Sequence, residues 1–191
     1  MGRWEPDARG RLGQAAMELF AERGYDDTTV ADIAERAGLT KRTFFRHFAD
    51  KREVLFSGGQ MLQDAMAAAV RDAPAGTTPL DAVARALTAG ADLIDGDHAH
   101  TVARQELITA HPELQERELI KMARISAALS AELRARGTDP VTSKLAAEAG
   151  LAAFRVGFER WAALPTTRKR IPRLSALIGE SLAELQAVVA S

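Results

Sequence analysis

Between Gly38 and Leu55 the chain reads GLTKRTFFRHFADKREVL. Five cations, Lys41, Arg42, Arg46, Lys51 and Arg52, are interleaved there with Phe44, Phe45 and Phe48. From Gly38 to Arg52 only Asp50 opposes them, a balance of +4 in a chain of net charge −1, which leaves −5 for the remainder. Cations concentrated beside threonine hydroxyls suit a polyanion. Arginine and lysine match guanine O6 and N7, and threonine reaches a base edge or a phosphate. A solvated basic helix whose aromatic face is core would show the same composition.

Other chemistries find less material. His98, His100 and His111 with Asp95 and Asp97 could be grouped as metal ligands, but DGDHAH reads more simply as a polar turn with helix caps. No G-x-S-x-G elbow, phosphate loop or H-E-x-x-H motif occurs. The absence of cysteine excludes thiolate nucleophiles, thiolate metal sites and disulfides. No metal, cofactor or catalytic activity is therefore expected. No apolar run approaches the roughly 18 to 20 residues of a membrane span, and MGRWEPDARGR lacks the apolar stretch of a signal peptide. A cytoplasmic protein without membrane contact is expected.

The elements that must position the basic segment read at helical period throughout, so the fold class is all-α, with about nine helices. Pro6 opens the first, whose apolar face is Leu12, Ala15, Ala16, Leu19 and Phe20, and Gly24 stops it. Thr28 or Thr29 caps a second, carrying Val30, Ile33, Ala34 and Ala37. Thr40 caps a short third. Asp50, with Glu53 three positions on, opens a fourth that runs to about Asp72 through Gly58-Gly59. PAGTTP is a break. Further helices follow from Leu80 to Asp95, Thr101 to Ala110, Pro112 to Gly137, Pro140 to Leu164 and Pro172 to Ala190.

The second and third helices, joined by AGLT, form a helix-turn-helix. Phe44 and Phe48, four apart, turn inward onto Leu19, Phe20, Ile33 and Ala34. Thr40, Lys41, Arg42, Thr43 and Arg46 are left at the outer, base-facing start of a recognition helix. Lys51 and the N–H groups behind Asp50 suit a phosphate. Thr29 could serve similarly, with His47 a further donor.

The stretch AAMELFAERGYDDTTVADIAERAGLTKRTFFRHFADKREVL resembles the DNA-binding domain of the TetR family of bacterial repressors. The likeness combines LFAERGY, the T-V-x-x-I-A-x-x-A-G run, the aromatic pair and the FADKREVL close. It implies that Lys41, Arg42, Thr43 and Arg46 face the groove, and that Thr29, His47 and Lys51 contact phosphates. Where the family commonly has a phosphate-binding tyrosine this chain has Phe45. Lacking the hydroxyl, Phe45 is left with either a contact or a packing role. The resemblance divides the chain into a helix-turn-helix domain, 1–56, and a ligand-binding and dimerisation domain, 57–191. RQELITAHPELQERE, with a tryptophan near the end of the eighth helix, is similar to regulators related to the mycofactocin regulator, some of which respond to long-chain acyl-CoA.

In the second half, Ala146, Gly150, Ala153 and Gly157 form a small-residue stripe, and Leu174, Leu177, Ile178, Ser181, Leu182, Leu185 and Val188 a broad apolar face. Both suit helices that close a homodimer as a four-helix bundle. Packing within one chain would use the same residues. A pocket for a small, largely apolar effector, for which the resemblance points to the acyl-CoA type, would draw on Met61, Met66, Leu87, Leu93, Leu107, Ile108, Met122, Ile125, Phe154, Phe158 and Trp161. Arg104 would meet a polar head group. The expected function is a homodimeric, ligand-released repressor on a palindromic double-stranded DNA operator. A ligand-independent activator with the same motif, or a helical carrier or enzyme for acyl or isoprenoid compounds, are the other readings.

Overall fold

Side chains placed just ahead of several helices account for where those helices begin. Thr40 Oγ1 accepts the N–H of Thr43 at 3.1 Å, Asp50 that of Glu53 at 3.1 Å, and Thr78 that of Asp81 at 3.2 Å. Asp139 accepts from both Val141 and Thr142. Each satisfies a donor that a helix start leaves without an internal partner. The computed structural model describes residues 7–167 and 170–190, so Pro6 lies outside the described residues. Among the described residues all regular structure is helical, in ten helices.

The chain divides into two compact units: residues up to Gly58 together with Ala103–Leu114, and Gly59–Val102 with Gln115 onward. The first contains α1 (Ala8–Arg23), α2 (Val30–Arg36), α3 (Lys41–His47) and α4 (Lys51–Leu55). Its core is Leu12, Ala16, Leu19, Phe20, Ile33, Phe44, Phe48, Val54 and Leu55, all buried. Ile108 of α7 (His98–Ala110) and Leu114 near the start of α8 (Pro112–Ala135) complete it. Residues 103–114, which sequence places in the second domain, pack with the helix-turn-helix.

The second unit is built from α5 (Gly59–Arg71), α6 (Pro79–Ile94), most of α8, α9 (Pro140–Ala162) and α10 (Leu174–Ala190). Leu62, Met66 and Val70 of α5 meet Val83 and Leu87 of α6, Ile125, Leu129 and Leu133 of α8, and Phe154 and Trp161 of α9. The stripe expected at a dimer interface is spent inside this unit. A Cβ on Gly150 would overlap the side chain of Val83, and one on Gly157 would lie 2.7 Å from the Cα of Ile178. Ile178, Ser181 and Leu182 of α10 are buried too.

A single fourth helix from Asp50 to Asp72 is not observed. It divides at residues 56–58, which raises the helix count from nine to ten. Glycines at 58 and 59 weaken helix propagation. In addition, the carbonyl of Leu55, which would accept from residue 59 in an unbroken helix, accepts instead from Arg104 Nε at 2.6 Å. α7 begins at His98, earlier than Thr101, because Asp97 Oδ1 accepts the N–H of His100.

Candidate nucleic-acid interface

The turn that delivers α3 is closed by backbone geometry. Leu39 N–H donates to Ala34 O at 2.8 Å and Gly38 N–H to Glu35 O at 2.9 Å, with Gly38 at φ +65°. This pair of bonds is the Schellman ending of a helix, and it needs a residue that tolerates positive φ. α3 then presents two faces. Phe44 and Phe48 are buried, and their rings are 5.5 Å apart. On the other side Thr40, Arg42, Thr43, Phe45 and Arg46 line an open surface concavity. Phe45 is 57% exposed.

The cations of this unit separate into two kinds. Arg36 is tied to Glu22 at 2.6 Å and to Glu18 at 3.4 Å. The hydrogen bonds that Arg36 donates to the Glu22 carboxylate raise the Arg36 pKa and lower that of Glu22. Arg52 pairs with Asp50 at 2.6 Å, which raises its pKa. Arg9 donates to Ser57 O and lies over the Phe48 ring, and Arg11 donates to Ala37 O. By contrast, among the described residues the side chains of Lys41 and Arg42 make no hydrogen bond or salt bridge, and both residues are exposed. Arg46 has only a 3.5 Å approach to His47 Nε2.

The remaining candidates are engaged. Lys51 Nζ donates to the carbonyls of Tyr25, Asp26 and Thr28 at 2.7, 3.3 and 3.2 Å and sits 4.2 Å from the centroid of the Tyr25 ring. In this arrangement its ammonium closes the loop between α1 and α2. Thr29, not Thr28, caps α2: its hydroxyl accepts the Asp32 N–H at 3.2 Å and its backbone N–H donates to Asp32 Oδ2 at 2.8 Å, a capping box, while the hydroxyl also donates to Asp32 Oδ2 at 2.6 Å. These bonds from Thr29 hold the Asp32 carboxyl below its ordinary range. Thr28 is buried, donating to Gly24 O. The hydroxyls of Thr40 and Thr43 are 3.0 Å apart, so one of their two protons is shared between them.

Sequence reasoning missed the neighbourhood of Tyr25. Its ring is buried against Phe20 at 5.1 Å and His111 at 4.7 Å. His111 contacts Leu107 O through Nδ1 at 2.8 Å and approaches Asp26 at 3.7 Å through Nε2. Burial first, then the Glu113 carboxylate, push the Tyr25 phenol up to about 12. The signal available in sequence was the lone tyrosine after Gly24. Nothing local announces that His111, 86 positions later, packs on it.

Comparison with known proteins places this geometry. Residues 13–57 match the model of bacterial regulatory proteins of the tetR family, and residues 77–190, more than half of the chain, match the MftR C-terminal domain. The chain belongs to the TetR family. Its second unit is therefore of the MftR type, and its relatives are transcriptional regulators, not enzymes. It is 44% identical over 81 residues to the regulator TcmR of Streptomyces glaucescens, covering 42% of this chain and 36% of that protein. It is 35% identical over 99 residues to the repressor KstR2 of Mycobacterium tuberculosis, covering 51% and 50%. The chain thus spans half or less of the length of these curated relatives. Over 92% of this chain and 96% of the other, the fold is that of the FadR regulator from Bacillus subtilis solved with stearoyl-CoA, at a TM-score of 0.64 and 21% identity.

The TetR-type ligand candidates do not form one group. Met66, Leu87, Ile125, Phe154 and Trp161 are buried together in the second unit, with Met122 and Phe158 partly buried against them. Trp161 Nε1 donates to Pro172 O, and His98 stands edge-on to its ring at 4.4 Å. Met61 and Leu93, at 62% and 49% exposure, face solvent: Leu62 and Met66 set the inward face of α5, and Leu87, Gly90 and Ala91 that of α6. Leu107 and Ile108 belong to the core of the first unit. Arg104 is also there, holding Leu55 O and lying over Phe56 at 5.3 Å. Among the described residues no three His, Asp or Glu side chains converge as metal ligands would, and no helix is long and apolar enough to cross a membrane.

Proposed function

We propose that this TetR-family protein is a cytoplasmic repressor that binds a near-palindromic operator as a homodimer and releases it on binding a largely apolar effector of acyl-CoA type. The observation that carries the DNA half is the contrast among cations. Arg36, Lys51 and Arg52 are consumed by internal partners, while Lys41 and Arg42 stand exposed on the open face of α3. Charges without internal partners lose least on meeting phosphates and guanine edges. Thr43 and Arg46 complete the groove-facing set, with Thr40 at the helix start and His47 and Thr29 toward the backbone. Lys51 takes a supporting role, fixing the loop that precedes Thr29. A second copy is required because one short helix reads too few base pairs for useful specificity. Its interface would use the outward residues Val141, Leu145 and Val156 of α9 beside Ala183 and Val188 of α10. The effector class is suggested by the B. subtilis relative solved with stearoyl-CoA. The buried Met66, Leu87, Phe154 and Trp161 are the apolar wall such a ligand would displace.

The experiment is duplex selection from a random pool. Binding of the selected duplex is then titrated across salt concentration, with and without stearoyl-CoA, for the parent and Arg42→Ala. Arg42→Ala should cost about 1 to 3 kcal/mol and relax preference at one position, and the acyl-CoA should weaken operator binding about 5- to 150-fold. Unchanged affinity and preference in a Lys41→Ala, Arg42→Ala double variant would overturn the interface. Binding indifferent to every apolar ligand would favour the ligand-independent regulator, and ligand binding with no selected duplex would favour the carrier.

A further inference from the structure

An aromatic ring left 57% exposed among cations is an unusual feature of the first unit, whose other phenylalanines are buried or partly so. Phe45 lies in the same concavity as Thr40, Arg42, Thr43 and Arg46. It stands edge-to-face on Phe44 at 5.6 Å, with an interplanar angle of 82°. Phe44 is itself fully buried, so the exposed ring rests on a rigid support. A ring held in this way has little rotamer freedom to lose on contact. It has no hydroxyl and cannot donate to a phosphate. Its chemistry is that of an apolar surface offered between Arg42 and Arg46 on the open face of α3, the helix that enters the groove. In a major groove only one base edge presents an apolar group, the C5 methyl of thymine.

We infer that Phe45 reads thymine, by packing its exposed ring against the C5 methyl group in the major groove, and so fixes one position of each half-site. This rests on the DNA-binding reading above and assigns a base to one of its residues. The flanking arginines supply the charge complementarity that brings the ring to the groove. The ring supplies a preference that neither arginine can, since both match guanine. Burying one methyl group is worth roughly a fourfold change in affinity, and two symmetric half-sites multiply it to on the order of 15-fold.

The test uses the duplex selected with the full chain. Thymines of each half-site are replaced one position at a time by deoxyuridine, which removes the methyl group and leaves pairing intact. The parent should lose about fourfold at one position per half-site and about 15-fold when both are replaced. Phe45→Ala should bind the thymine and uracil duplexes alike, at the level of the parent on uracil. Phe45→Tyr should keep the thymine preference, because its ring retains the apolar face. A parent indifferent to uracil at every position would overturn the inference while leaving the DNA-binding reading intact. A thymine preference that persists unchanged in Phe45→Ala would also overturn it, moving the contact to the methyl groups of Thr40 or Thr43. Selection of no duplex at all would instead remove the DNA-binding reading itself.

Discussion

The two units reach a dry core by opposite means. The first fills its centre with rings: Phe20, Tyr25, Phe44 and Phe48 are buried around Leu12, Leu19 and Ile33. The second brings backbones together. Gly150 admits Val83 of α6, and Gly157 lets α9 lie against the backbone of Ile178 in α10. Both units also close a loop with one cation. Lys51 gathers three carbonyls between α1 and α2, and Arg136 gathers those of Arg71, Ala73 and Pro74 after α5. Helices as short as α2, α3 and α4 bury little each, so bulky rings must supply the contact area. Long helices such as α9 can afford small residues, because close approach recovers dispersion contacts along many turns.

This difference predicts which substitutions break each unit. In the first, removing volume is the severe change: Phe44→Ala should lower stability by about 3 to 5 kcal/mol by leaving a cavity between α3 and α1. In the second, adding volume is the severe change. Gly157→Val places carbon within 3 Å of the Cα and N of Ile178, atoms that cannot rotate aside. A loss of about 3 kcal/mol, the upper part of the overpacking range, is expected. Denaturant midpoints of both variants read these effects. A Gly157→Val protein as stable as the parent would mean that α9 and α10 are not in backbone contact.

The ring-filled core can be sharpened spectroscopically, because Tyr25 is the chain's only tyrosine. Phenolate absorbance should titrate with a midpoint of about 12 in the native protein, and near the ordinary value of about 10 in denaturant. The native value is raised, so the folded state holds the proton more tightly. The associated stability is complete below pH of about 10 and is lost as pH climbs toward 12. A native midpoint near 10 would show that solvent reaches the ring and that the packing of His111 and Lys51 around it is loose.

What the sequence disclosed follows from the range of the interactions involved. Caps, glycine stops and the inward pair Phe44 and Phe48 are local, and helical periodicity reports them directly. The same locality hides two things. Periodicity shows that Gly150 and Gly157 share a face, but not whether that face meets a partner or the same chain. Composition counts Lys41, Arg42, Lys51 and Arg52 as equals, although Lys51 and Arg52 are consumed by Tyr25, Asp26, Thr28 and Asp50. The docking of Arg104, Ile108 and His111 onto the first unit joins residues separated by 49 positions and more, and no local pattern encodes it.

The smallest effect is the most discriminating, because one chemical change should have opposite signs in the two settings. At Gly157 even alanine forces a shift against backbone, so Gly157→Ala should destabilise by about 1 to 3 kcal/mol. Gly58, in the break between α4 and α5, has no atom within 4 Å of a built Cβ, and its φ is not positive. Alanine there meets no obstacle and restricts the unfolded chain, so Gly58→Ala should stabilise by about 0.4 to 1 kcal/mol. Gly59 is an intermediate case: its Cβ would touch only the Lys121 side chain, at 3.4 Å, and a flexible lysine stem can yield. The order of stability among the three single alanine variants should be position 58, then 59, then 157. Thermal midpoints measured in one buffer decide it. A Gly58→Ala protein less stable than the parent would show that the break needs a backbone freedom only glycine has. The end of α4 would then depend on Gly58 itself and not on the capture of Leu55 O by Arg104.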